Sequence, residues 1–138
     1  VGSFESVLFP EFSQSKKIAK IDTGAYSGAL HCTEIQIKKD KDTNLLSFKP
    51  FDTDVLVECS EFITRQVRSS NGQVEERYLI ETDIEIQNQS YTTFIGLSDR
   101  SDMKYDVLIG RKFLRDNSMI VNVKIGEDLD SDVERNDE

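Results

Sequence analysis

Hydrophobic and polar residues alternate most clearly over residues 76–86. Tyr78, Ile80, Thr82, Ile84 and Ile86 fall on one face, and Glu81, Asp83 and Glu85 on the other. A period of two in β-branched and aromatic residues marks a strand with one face buried. Shorter runs of the same kind predict strands over 4–9, 16–22, 29–37, 54–59, 62–68, 90–97 and 119–124. Turn-forming residues separate them at 40–44, at Asn71–Gly72 and at 87–89. Asn71 and Gly72 predict a hairpin tip, because both tolerate positive φ. One short helix is predicted over Arg111–Asp116, directly after Gly110. Many short strands and one short helix predict a mainly β domain, closed or sandwich-like.

The chain has 138 residues. That suits a single domain burying about two-thirds of its unfolded surface. Residues 126–138 hold seven acids and one base, six of the nine net negative charges, with only Leu129 and Val133 as aliphatic residues. Too little apolar surface is present there to offset ordering entropy, so residues 1–125 are read as the domain and 126–138 as a flexible acidic tail. The whole chain has 26 acids against 17 bases. This argues against a nucleic-acid partner, which would call for a basic face. No apolar run approaches the ~18 residues of a membrane helix. No membrane partner is expected, and no signal-peptide pattern is visible. Cys32 and Cys59 are too few and too distant for a disulfide scaffold or a Cys-x-x-Cys site. A reducing cytoplasm is therefore the expected compartment.

Two segments carry candidate chemistry. The first is Asp22-Thr23-Gly24-Ala25, at the end of a predicted strand. Gly24 permits a sharp turn that brings backbone close to the Asp22 carboxylate, and Thr23 adds a hydroxyl. Taken alone, the tripeptide is better read as an Asx-type turn after a strand. The second is Leu108-Ile109-Gly110-Arg111, opening the predicted helix. In this order the two segments resemble the active-site loop and the distal supporting run of a retropepsin subunit. A flap hairpin belongs between them, and residues 65–78, with the Asn71–Gly72 tip, lie in that interval.

The resemblance extends over most of residues 5–123. It includes Glu5-Ser6-Val7-Leu8-Phe9-Pro10-Glu11-Phe12, Ala29-Leu30-His31, Val67-Arg68-Ser69-Ser70-Asn71-Gly72, Glu76-Arg77-Tyr78 and Asp99-Arg100-Ser101-Asp102-Met103. These pieces are similar to the retropepsin-like family labelled "ATP-dependent zinc protease", or RimB-like. Tyr26, Gly28 and Cys32 depart from the family pattern. The resemblance implies an acid-protease (retropepsin-like) closed β-barrel with one short C-terminal helix. It implies an aspartic peptidase whose catalytic residues are Asp22, Thr23 and Gly24. Ala25, Arg65, Arg68, Ser69, Ser70 and Arg77 are the substrate-binding candidates, while Leu108, Ile109, Gly110 and Arg111 support the site. Members are associated with a ligase that adds glutamates to ribosomal protein, so a glutamate-rich or poly-glutamate peptide is the implied substrate.

One Asp-Thr-Gly supplies one carboxylate, whereas this chemistry needs two that share a proton. The second must come from another copy, so the implied partner is a homodimer with Asp22 at the axis. Neither zinc nor ATP finds support in the residues. His31 and Cys32 are adjacent and point to opposite faces of a strand, no ligand set of zinc spacing is present, and there is no phosphate-binding Gly-rich loop. No cofactor or metal is expected. His31 reads as a hydrogen-bonded packing residue. Arg100, Asp102 and Arg111 form a charged cluster of the kind that ties retropepsin subunits together. Lys20, on the strand face of Asp22, reads as a solvated surface lysine. Arg65, Arg68 and Arg77 either bind acidic peptide or pair with Glu61, Glu75 and Glu76 on the surface. The rival reading of the whole chain is a catalytically silent retropepsin-like module that binds peptide or dimerises.

Overall fold

A computed structural model describes residues 1–68 and 72–131 of the chain. Nine strands form one sheet system: β1 (Phe4–Leu8), β2 (Lys17–Ile21), β3 (Gly28–Asp40), β4 (Thr43–Pro50), β5 (Val57–Cys59), β6 (Ile63–Arg68), β7 (Val74–Ile86), β8 (Gln89–Ser98) and β9 (Val107–Ile109). The helix α1 (Arg111–Asp116) follows β9 directly. Six strands close into a barrel in the order β3, β8, β7, β1, β2, β9 and back to β3. Closure removes the free edges of those strands. The expected closed β-barrel with one short helix is therefore the observed architecture.

Two long strands do double duty. The first part of β3 pairs with β8 and β9 inside the barrel, and its second part leaves to pair with β4. β7 begins in the β6–β7 hairpin and ends in the barrel, against β8 and β1. The alternation read at 76–86 is realised there: Ile80, Thr82, Ile84 and Ile86 are buried in the interior. Gln87 and Asn88, at φ 53° and 64°, form the two-residue turn into β8, a conformation that suits the twist of the flanking strands. Val7, Leu30, Phe48, Ile84, Ile95 and Val107 meet in one core.

Two expectations fail. β4 occupies residues read partly as a turn and partly as loop. Leu46, Ser47 and Phe48 are all fully buried, so both faces of β4 are covered and the period-two signal vanishes. Residues 119–124, read as a strand, form only a single bridge, Gly2 to Asn122. Met119 and Val121 lean on the core, whereas Ile120 and Val123 stand 83% and 73% exposed. Among the described residues the segment has no neighbouring strand to complete a ladder.

The acidic segment starts inside packed structure. Gly126 lies so close to β1 that a Cβ there would sit 2.1 Å from the Phe4 carbonyl oxygen. A 3-10 turn, Glu127–Leu129, follows, and Ser131 donates its N–H to the Tyr105 hydroxyl at 2.8 Å. Residues 132–138 lie outside the described residues.

Candidate active site

β2 runs parallel to β9, with Ile21 beside Ile109, and delivers Asp22 at its end. The Asp22 N–H donates to the Ile109 carbonyl at 2.8 Å. Its half-buried carboxylate accepts the Gly24 N–H on Oδ1 at 2.9 Å, and its carbonyl accepts from Ala25 at 3.2 Å. The loop thus folds back around its own acid. A Cβ on Gly24 would sit 3.2 Å from that Oδ1.

The second motif holds the first. Arg111 donates its backbone N–H to Ala25 at 2.8 Å, and Lys112 donates to Tyr26 at 3.1 Å. The Arg111 guanidinium donates to the Gly24 carbonyl at 3.1 Å and lies over the Tyr26 ring, 5.4 Å from its centre. Gly28 and Gly110 have no room for a side chain. Added Cβ atoms would lie 2.5 Å from the Leu108 oxygen and 2.6 Å from the Tyr26 oxygen respectively. Leu108, Ile109, Gly110 and Arg111 are all placed against the Asp22 loop. Thr23 is exposed beside it, and Lys20 is exposed on β2.

The hairpin arginines divide. In the β6–β7 register Arg65 lies directly opposite Arg77, and Arg68 opposite Val74. Strand alternation puts Arg65 and Arg77 on one face and Arg68 on the other. Arg65 reaches the Ser27 hydroxyl, next to the Asp22 loop, at 3.5 Å. Arg77 lies 3.8 Å from Glu75, whose side chain is largely exposed, a pairing of little worth. Ser69, Ser70 and the Asn71 tip lie outside the described residues. A cleft of about 580 Å³ opens beside the loop, with Tyr26, Ser27 and Gly28 on one wall and Ile63, Arg65 and Leu79 on another. Phe94, 48% exposed, and the helix residues Lys112 and Phe113 line it as well, together with the carboxylates of Glu81 and Asp116.

Arg100, which the sequence groups with Asp102 and Arg111, donates its backbone N–H to Nδ1 of His31 at 2.8 Å and its Nε to the Tyr105 carbonyl at 2.9 Å. Burial and the neighbouring Arg77 charge push its guanidinium below the ordinary arginine value, while Asp106 and Asp22 pull the other way. Arg100 therefore sits within electrostatic reach of both the candidate catalytic acid and the hairpin. No local pattern announces its contacts, since Arg100 and His31 meet only after β3 pairs with β8.

His31 is 1% exposed, and Nε2 lies 3.2 Å from Asp52. With both ring nitrogens engaged, it has no lone pair to offer a metal. Burial pushes the Cys32 thiol up, away from the thiolate form that a metal binds. Among the described residues no cluster of His, Cys, Asp and Glu has the make-up of a metal site. The donor set does not fit zinc. Nor, among the described residues, is any helix long and apolar enough to cross a membrane.

A closed six-strand barrel, an Asp-Thr-Gly loop at a strand end and an Ile-Gly-Arg brace behind it define a retropepsin-like domain. The chain belongs to the RimB-like family, whose model, "Retropepsin-like aspartic endopeptidase RimB", matches residues 1–127. A probable alpha-L-glutamate ligase from Shewanella halifaxensis is 26% identical over 98% of this chain and 31% of its own length. One from Desulfotalea psychrophila is 27% identical over 87% of this chain and 27% of its own. The chain thus spans about a third of the curated relatives it matches. A solved Legionella pneumophila protein of unknown function shares the fold at a TM-score of 0.71 and 25% identity, covering 90% of this chain and 92% of its own.

Proposed function

We propose that two copies of this domain form an aspartic endopeptidase that hydrolyses peptide bonds of glutamate-rich chains. The observation that carries the reading is the Asp22 loop: a half-buried carboxylate held by a backbone N–H and braced from behind by Arg111. Two such carboxylates at a two-fold axis cannot both ionise easily, so they share one proton. The ionised one takes a proton from water as its oxygen attacks the peptide carbonyl. The protonated one gives its proton to the carbonyl oxygen. Collapse of the tetrahedral species breaks the C–N bond, and the departing amine takes a proton, leaving a carboxylic acid and an amine.

The exposed strip Ile120, Val123 and Ile125, beside the strand-like N-terminal residues, supports a homodimer, since a second copy would cover it. The acidic substrate is supported by Arg65 and Arg77 sharing one hairpin face, and by relatives named for glutamate ligation.

The test is hydrolysis of poly-α-glutamate by wild type and by Asp22→Asn. Activity that disappears in the variant, with melting temperature and dimer retained, is the expected result. A folded dimer that cleaves nothing between acid and neutral pH would overturn the reading in favour of a silent binding module.

A further inference from the structure

The loop 99–106, between β8 and β9, is held to β3 at both ends by one residue. At the far end the His31 backbone N–H donates to the Asp106 carbonyl at 2.8 Å. At the near end the His31 ring accepts the Arg100 N–H on Nδ1 at 2.8 Å. In between, the loop closes on itself. Met103 donates its N–H to the Arg100 carbonyl at 2.8 Å, and the Arg100 Nε donates to the Tyr105 carbonyl at 2.9 Å. Of these bonds only the one at Nδ1 depends on the protonation state of its acceptor.

A backbone N–H can only donate, so Nδ1 is the unprotonated nitrogen of a neutral imidazole. The ring proton then sits on Nε2, which donates to Asp52 at 3.2 Å. The residue is 1% exposed, so water is not at hand to replace a lost partner. Asp52 comes from the loop after β4, with its side chain 84% exposed. Asp99 comes from the turn after β8, 60% exposed, with its Oδ1 3.9 Å from Nδ1. The other charged or titratable neighbours are engaged elsewhere. Asp106 meets the strand through its carbonyl, the Arg100 Nε is on Tyr105, and Lys17 of β2 lies over the Phe51 ring. The adjacent Cys32 thiol is kept neutral by burial. An added proton is therefore flanked by two carboxylates, one already bonded to Nε2 and one just beyond hydrogen-bond reach of Nδ1.

We propose that His31 is a proton-operated latch on the loop 99–106. The neutral ring holds the Arg100 end of the loop against β3. The imidazolium carries a donor on both nitrogens, so the Arg100 N–H loses its acceptor and faces another N–H. Asp99, which now accepts the N–H and the hydroxyl of Ser101, turns to the new Nδ1 proton, and the turn at 99–101 leaves the strand. Histidine changes its charge between about pH 5 and 8, so the latch is closed at neutral pH and open in acid. The loop leads straight into β9, whose Ile109 carbonyl takes the Asp22 N–H. Acid therefore loosens the entry to the strand that supports the Asp22 loop. The latch stands on the loop's own bonds, whether or not Asp22 hydrolyses peptides.

His31 is the only histidine in the chain, so its ring resonances are unambiguous. Nitrogen-15 NMR of the full chain should show the Nε2–H form at about pH 7.5 and the imidazolium at about pH 5. Amide hydrogen exchange, expressed as protection relative to an unstructured peptide, reads the loop. Protection of the Arg100 amide should fall about tenfold as the ring takes its proton, the size of one lost buried hydrogen bond. Ile84 and Ile95, in the barrel core, should keep theirs. In His31→Gln the side-chain oxygen can accept the Arg100 N–H at every pH, so protection should be level from about pH 5 to 8. Asp99→Asn removes the carboxylate that receives the proton, so the ring titration and the fall in protection should move together to lower pH. A ring still neutral at about pH 5 overturns the latch. So does an Arg100 amide whose protection ignores the ring titration, or the same pH dependence in His31→Gln. Should His31→Gln not fold, an unmoved transition in Asp99→Asn overturns it instead.

Discussion

The backbone N–H of Arg100 donates to Nδ1 of the buried His31 at 2.8 Å, joining β3 to the loop that precedes β9. The other ring nitrogen faces Asp52 at 3.2 Å, so the imidazole bridges two loops. His31→Ala leaves a cavity and strands the Arg100 N–H. The expected loss is about 2–4 kcal/mol of stability, read by urea unfolding. A loss below about 1 kcal/mol would show that the bridge contributes little.

Gly110 tests how tightly the two motifs interlock. An added Cβ would meet the Tyr26 oxygen at 2.6 Å and the Ser27 carbonyl carbon at 2.7 Å, all backbone. Neither neighbour is the free end of a flexible side chain, so Gly110→Ala should cost about 3 kcal/mol and disturb the Asp22 loop. Gly72→Ala is the control. Its φ is +85°, but nothing lies within 4 Å of the new Cβ, so only the left-handed backbone penalty of about 1–2 kcal/mol applies. Comparable melting temperatures for the two variants would contradict the interlock.

If two copies pair as proposed, the exposed strip at Ile120 and Val123 is the place to break the dimer. Aliphatic side chains that move from solvent into an interface contribute about 1.5–3 kcal/mol each. Ile120→Asp with Val123→Asp should therefore weaken self-association at least about a hundredfold and abolish hydrolysis. The subunit fold should be little affected, because both side chains are exposed. Sedimentation equilibrium checks the first outcome and circular dichroism the last. An unaltered dimer would place the two-fold axis elsewhere.

Cys32 makes stability depend on alkaline pH. Burial raises its thiol far above the ordinary 9.0. The folded chain therefore keeps a proton that the unfolded chain releases as pH passes 9. Stability is intact below that value and falls as pH rises, by up to about 1.4 kcal/mol per pH unit. Unfolding by urea at pH 7 and pH 10 should show this extra loss in wild type but not in Cys32→Ala. The half-buried Cys59 should react first with a thiol reagent in the folded protein.

Much of the site was legible in the residues. Asp22-Thr23-Gly24 and Leu108-Ile109-Gly110-Arg111 are local signals, because a sharp turn at a strand end and a side-chain-free approach each demand particular residue types at particular positions. The structure brings the two within hydrogen-bond distance. Arg68 was not separable from Arg65 and Arg77 by composition. Only the β6–β7 register puts it on the other face.

What the sequence by itself determined is whatever short-range sterics and periodicity control: the half-buried run at 76–86, the turn at Gln87–Asn88, the helix after Gly110 and the acid at the end of β2. What only the tertiary structure decided involves pairing over long separations. β4 became a strand because both its faces were covered, which erased the alternation that would have announced it. Residues 119–124 did not become one because the described residues offer them no full ladder. The bracing of the Asp22 loop by Arg111 arises because barrel closure sets β9 beside β2, and no short window along the chain contains both.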